Sequence, residues 1–169
     1  MQDRFLKTLA RCRVVTESAM EELLYIPTSV AEKCLVEKLI TEKTRKQGFS
    51  EEKYYELTDK GEQFIKQNYP EIQELYRGFV LDQDIALMEF YSKLQSDEQE
   101  SWMTKDDFIV KYKAPGTVDG AYTKQDGTVI GVKALSVKAN YSSVEKVEKF
   151  LQIAEIPQIF YIIYQPSKN

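Results

Sequence analysis

An α+β fold in two parts is expected, and three features of the sequence predict it. Up to Ile40, apolar residues recur at helical spacing in three short runs. The polar stretch TEKTRKQGFSEEKYYELT follows, in which two alternating segments flank a Gly-containing turn around Gln47-Gly48, as two paired strands would. After Trp102 the pattern becomes strand, strand, helix and a wholly apolar strand, the order of a small mixed α/β domain. The boundaries that fit are 1–69 for a first domain, 70–100 for a linking helical region and 101–169 for a second domain.

Residues 3–12 place Phe5, Leu6, Leu9 and Cys12 on one helical face, with Arg4, Lys7 and Arg11 elsewhere around the cylinder. The β-branched Val14-Val15 is a short strand, and Thr16 caps a second helix, from Glu17 to about Leu24, whose apolar stripe is Ala19, Met20, Leu23 and Leu24. Tyr25-Ile26-Pro27 ends it. Thr28 and Ser29 open a third helix, with Ser29 and Glu32 at capping-box spacing and Val30, Cys34 and Leu35 on the packed side. Helix, short strand, helix, turn, helix is helix-turn-helix order. The two paired strands then form a wing that carries Lys43, Arg45, Lys46 and Lys53, partly offset by Glu42, Glu51 and Glu52.

The run YYELTDKGEQF, Tyr54 to Phe64, closes this half. Tyr54, Tyr55 and Leu57 read as a strand end, Thr58 as an N-cap and Lys60-Gly61 as a first helical turn where a small residue lets strand and helix approach. Tyr55, Leu57, Thr58, Lys60 and Gly61 resemble the signature that closes the wing in many bacterial winged-helix DNA-binding proteins. The resemblance implies a winged helix-turn-helix over the first half, bound to double-stranded DNA. Lys43, Arg45, Lys46 and Lys53 would then serve the phosphate backbone, with Thr28, Ser29, Glu32 and Lys33 nearest the major groove. Glu32 and Glu37 on the third helix point to affinity drawn from a dimer, a partner or the wing rather than from that helix alone.

Gly61 to Tyr69 completes a fourth helix, and from Pro70 to Leu94 an apolar-periodic helical region interrupted near Gly78 has Leu81, Ile85, Met88 and Leu94 as one stripe. A homodimer seam and core packing within the chain fit this stripe equally. Ser96 to Glu100 reads as a charged loop. Thr104 and Asp107 have capping-box spacing ahead of Phe108-Ile109-Val110, and Ala114-Pro115-Gly116 breaks what precedes it. Gly120–Lys124, a turn at Gln125-Asp126-Gly127 and Thr128–Val137 make a hairpin. Ser142 and Glu145 suggest a cap for a helix with Val144, Val147, Phe150, Leu151 and Ala154 on one face. The final strand, Gln158–Tyr164, is apolar on both faces and should lie inside a sheet.

Composition narrows the chemistry. The 169 residues are 43% hydrophobic and 30% charged, with eleven Tyr, eight Phe and one Trp, enough for one or two folded, soluble domains. Residues 1–80 hold 13 Lys and Arg against 14 Asp and Glu, and the whole chain carries a net charge of −4, so only local arrangement could make a DNA-facing surface. With no His in the chain, the commonest general base and the His-ligated metal sites are excluded. No enzyme activity, cofactor or metal is expected. No membrane-length apolar run and no secretory signal are present, which points to the cytoplasm, where Cys12 and Cys34 would be buried thiols.

One arrangement in the second half needs weighing. Asp119-Gly120 precedes the hairpin, and Gly131 and Lys133 share a face of its second strand. The order resembles the PD-(D/E)xK nuclease-like core in degenerate form: Gly131 stands where a second carboxylate belongs, Val118 replaces the proline, and Lys105 lies where an upstream acid would, beside Asp106 and Asp107. A single carboxylate cannot hold a hard divalent ion, so a binding or assembly module is expected. An ordinary α/β domain, with Asp119 in a turn and Lys133 solvated, is the alternative. Taken whole, the chain resembles the replication-relaxation family of plasmids and other mobile elements. That resemblance implies an accessory role in replication, processing or transfer of plasmid, phage or integrative-element DNA, with a replication or relaxosome protein as partner. A dimeric transcription regulator, a metal-dependent nuclease and a winged-helix protein-interaction module are the other readings.

Overall fold

Phe5, Leu6, Leu9 and Cys12, the stripe expected of the first helix, are all essentially inaccessible to solvent in the computed structural model, which describes residues 1–47, 50–113 and 117–167. The protein is α+β, with eight helices and two sheets among the described residues, and its chain forms two compact units, Met1–Lys93 and Leu94–Asn169.

In the first unit, α1 (Gln2–Cys12) leads into β1 (Val14–Thr16), and Thr16 Oγ1 accepts the Ala19 N–H at 3.2 Å to cap α2 (Glu17–Glu22). Helix α3 (Thr28–Val36) follows, then β2 (Ile40–Gln47), β3 (Ser50–Leu57) and α4 (Asp59–Asn68). The strands form an antiparallel sheet in the order β1-β3-β2. Thr58 works in both directions: Oγ1 accepts the Gly61 N–H at 3.1 Å and donates to the Lys38 carbonyl at 2.7 Å. A Cβ on Gly61 would lie 1.9 Å from the Leu39 carbonyl oxygen, so only glycine lets α4 start this close to the end of α3. Both cysteines are free and buried; desolvation raises the Cys12 thiol well above its ordinary range and holds Cys34 at about 11.

Several expectations are corrected. The Ser29/Glu32 capping box does not form, because the helix already begins at Thr28 with Pro27 at the N-cap. Arg11, off the apolar face of α1, is buried as well, its guanidinium donating to the Tyr91 hydroxyl at 3.4 Å. Residues 69–80 are not helical; Ile72, Leu75 and Tyr76 are buried there, and the Tyr76 N–H bonds to the Ala10 carbonyl at 2.9 Å. Only Leu81–Ser92 forms a helix, α5, which packs on α1 and β1 and buries Ile85, Leu87 and Met88. Residues 70–93 thus belong to the first unit, and α5 spends much of its apolar stripe within the chain.

In the second unit, Ser96–Glu100 is a short helix, α6, rather than a loop, because Gln95 and Glu98 form a capping box. Next come β4 (Met103–Thr104), α7 (Lys105–Tyr112), β5 (Gly120–Thr123), β6 (Val129–Ser136), α8 (Tyr141–Ile153) and β7 (Gln158–Tyr164). The Thr104/Asp107 capping box forms with both halves present. Asn140 caps α8, so the Ser142/Glu145 pair does not. The sheet order is β4-β5-β6-β7, antiparallel except for the parallel β6/β7 pair that the α8 crossover requires. Strand β7 therefore lies at the sheet edge, not inside it. Phe108, Val118, Ala121, Val147 and Phe150 form the core, and Phe108 meets Phe150 edge to face at 5.7 Å. A Cβ on Gly120 would lie 2.1 Å from the Trp102 ring, so the buried indole also demands glycine. The expected break at Ala114-Pro115-Gly116 and the wing turn at Gly48 lie outside the described residues. No described helix is long and apolar enough to cross a membrane.

Candidate nucleic-acid interface and the buried aspartate

Helix α3 is short, and only Ala31 and Cys34 are fully buried, so Ser29, Glu32, Lys33 and Val36 face solvent, Val36 being 83% exposed; Thr28 is half-buried. Lys33 lies 3.9 Å from Glu37 one turn on. The surface is polar, electrically balanced and ends in an apolar residue.

The hairpin register then divides the four expected wing cations between two faces. Lys43 stands opposite Tyr54 and Arg45 opposite Glu52, which puts Lys43, Arg45, Glu52 and Glu56 on one face. Lys46, Lys53, Glu42, Glu51 and Tyr55 alternate onto the other. Tyr55 marks the near face: its hydroxyl donates to Glu17 of α2 at 3.4 Å, while Ser18 of α2 donates to Glu52 of the far face at 2.5 Å. Its pKa is pushed up to about 12, first by burial and then by Glu17, Glu42 and, more weakly, Glu32 of α3. Lys46 and Lys53 therefore share a face with Tyr55. Lys43 and Arg45 do not.

Each face carries two cations and two glutamates, Glu51 standing opposite Lys46, and the faces differ instead in how their cations are held. On the far face, Arg45 is held by Glu52 at 2.6 Å and by Asp82 of α5 at 3.2 Å, leaving its side chain 14% exposed. Lys43 pairs with Glu56, which also takes Arg13 at 2.9 Å. Arg13, at the α1 C-cap with φ 72°, reaches the buried carboxylate of Asp84 as well. Burial works against the Arg13 charge, but its hydrogen bond to Asp84 and the charges of Asp84 and Glu56 outweigh this and raise its pKa. On the near face Lys53 pairs with Glu42 at 3.2 Å, whereas Lys46 is exposed and makes no ion pair among the described residues. The approach of Asp82 to Arg45 of the hairpin and of Asp84 to Arg13 was not readable in sequence, since it depends on how α5 packs.

In the second unit the hairpin does bring Asp119 and Lys133 together, at 3.1 Å. Asp119 is buried and fully used: Oδ1 accepts Lys133, Oδ2 accepts the Ala134 N–H at 2.8 Å, and the Asp119 N–H donates to the Val132 carbonyl at 2.8 Å. Asp107, an adjacent acid, is committed to the Thr104 N–H and hydroxyl at 2.7 and 3.0 Å. Among the described residues no three His, Cys, Asp or Glu side chains gather as metal ligands. The pair pins the segment entering β5 onto β6. Comparison of the chain with protein-family models, curated proteins and solved structures gives no match.

Proposed function

We propose that this chain is a double-stranded DNA-binding accessory protein, acting in replication, processing or transfer of a mobile element, with the first unit as a winged helix on DNA and the second as a binding or assembly module. The observation that carries the reading is the face of the hairpin that holds Tyr55: Lys46 and Lys53 lie on it, and Tyr55 senses the charge of Glu32 of α3, whose Ser29 and Lys33 are exposed. That arrangement would set a helix against a groove and two cations against the flanking phosphates. Because Lys53 and Lys33 are partly neutralised by Glu42 and Glu37, one copy would bind weakly.

That same neutralisation favours a second reading, a winged helix that recognises protein. A salt titration of the purified chain against duplex fragments of its own replicon, with and without magnesium, separates the two. Salt-sensitive binding to intact DNA supports the accessory role, and the position of the site, at an origin or at a promoter, distinguishes it from a transcription regulator. Absence of binding at low salt would leave the protein-interaction reading, and magnesium-dependent cleavage would overturn the assignment of Asp119 to structure.

A further inference from the structure

Strand β7 pairs with β6 on one side and, among the described residues, is the last strand of its sheet. The Val137 N–H donates to the Tyr164 carbonyl at 2.9 Å, so the backbone of Tyr164 and of alternate residues before it faces the sheet. By the same alternation, the N–H and C=O groups of Ile159, Tyr161 and Ile163 point outward. Natural sheet edges are guarded by charges, prolines or bulges, because an open edge invites another strand. The edge strand β2 of the first sheet follows that rule, with Glu42, Lys43, Arg45 and Lys46 along it. Strand β7, QIFYIIY, has no charged residue, no proline and an unbroken register, while Phe160 and Ile163 are 50% and 60% exposed.

We propose that β7 is the seam of a symmetric dimer, pairing antiparallel with β7 of a second copy so that two four-stranded sheets become one. Self-complementarity commits the edge to a second copy. A two-fold axis through Tyr161 sets Tyr161 opposite its own equivalent and Ile159 opposite Ile163, so each outward-facing residue meets an outward-facing residue. Such a ladder forms about six hydrogen bonds. Pro157 and Pro166, which lack an N–H, bracket the strand and end the pairing at nearly equal distances on either side. An uncharged strand also lets two copies of an acidic protein meet without local repulsion, and it offers nothing to select a charged peptide. In this register Phe160 lies beside Ile162 of the second copy, covering exposed apolar surface.

The proposal is independent of DNA binding and is tested on the full chain. Sedimentation equilibrium over a wide concentration range should give twice 19.7 kDa at the upper end for the wild type. Ile163→Lys, at an exposed position, should give the mass of one copy with unchanged far-UV circular dichroism. Amide exchange of the wild type should slow by about tenfold or more with rising concentration at Ile159, Tyr161 and Ile163; if the variant unfolds, this measurement decides alone. A one-copy mass at every concentration, or a dimer whose β7 amides exchange independently of concentration, would overturn the proposal.

Discussion

Each unit buries one aspartate against one cation, and the two aspartates do different work. Asp84, 1% exposed, takes Arg13, which also takes Glu56, so the end of α1, the strand β3 and the helix α5 meet at one guanidinium. Asp119, 2% exposed, takes Lys133 and a backbone N–H of the same strand, β6. The first joins elements far apart in sequence; the second fixes a register within one hairpin. A planar guanidinium with several donors can bridge two carboxylates, whereas an ammonium supplies a point charge, which is why Arg serves the clamp and Lys the pin.

This contrast is open to measurement. Asp84→Ala should cost the most, about 2–4 kcal/mol, because it strips the half-buried Arg13 of a partner and opens a gap against Gly78. Urea unfolding checks this, and a loss no larger than that of a surface substitution would show that α5 is held by its apolar side alone. Asp119→Asn should cost less, about 1–2 kcal/mol, because the amide oxygen still accepts the Ala134 N–H while the attraction for Lys133 is lost. In the DNA-binding reading it should leave binding unchanged. If instead the second substitution proved the more costly, the distinction between clamp and pin would fail.

How much of this was legible in sequence follows the range of the forces involved. The caps at Thr16, Thr58 and Thr104 are local hydrogen bonds three residues long, and all three form where the sequence places them. The cap at Ser29 fails because Pro27 starts the helix earlier, and that at Ser142 because Asn140 does. Apolar periodicity marked α5 but extended it backwards through residues 70–80, where the same residues are buried in an irregular segment. Strand β7 has the pattern of an interior strand because it is apolar on both faces. An interior strand and an edge completed by another copy leave the same pattern in sequence. For the candidate site, the identity of the cations was legible, but their division between two hairpin faces and the approach of Asp82 and Asp84 were not, since both follow from tertiary packing.

The hairpin carries the same contrast to a smaller scale, with Arg45 tied to two carboxylates and Lys46 open to solvent. In the DNA-binding reading, Lys46→Ala should weaken binding a few-fold across sequences and lower the slope of log affinity against log salt by about one. Arg45→Ala should barely change that slope and should instead lower stability. Asp82→Asn tests the same division from the acidic side, and a large gain in DNA affinity from it would show that Arg45 does reach phosphate once released. Equal effects of Lys46→Ala and Arg45→Ala on the slope would erase the difference between the faces.

The smallest effect belongs to Glu62 and Arg77, the exposed counterpart of the two buried pairs. Arg77 holds the Glu62 carboxylate through a bidentate contact, and its hydrogen bonds are the main reason that the Glu62 pKa lies below the usual carboxylate value. A carboxylate whose pKa is lower in the folded state binds fewer protons there than in the unfolded chain. Its contribution is therefore present above the unfolded pKa, near 4.5, and is lost as pH falls through the lower folded value. Because Arg77 is more than half exposed, solvent screening limits that contribution to a few tenths of a kcal/mol, up to about 1. Urea midpoints measured from neutral pH down to the acid limb should converge for wild type and Arg77→Ala as pH falls. A gap between wild type and Arg77→Ala that persisted unchanged in acid would mean that Arg77 acts through packing beside Tyr76 rather than through its charge.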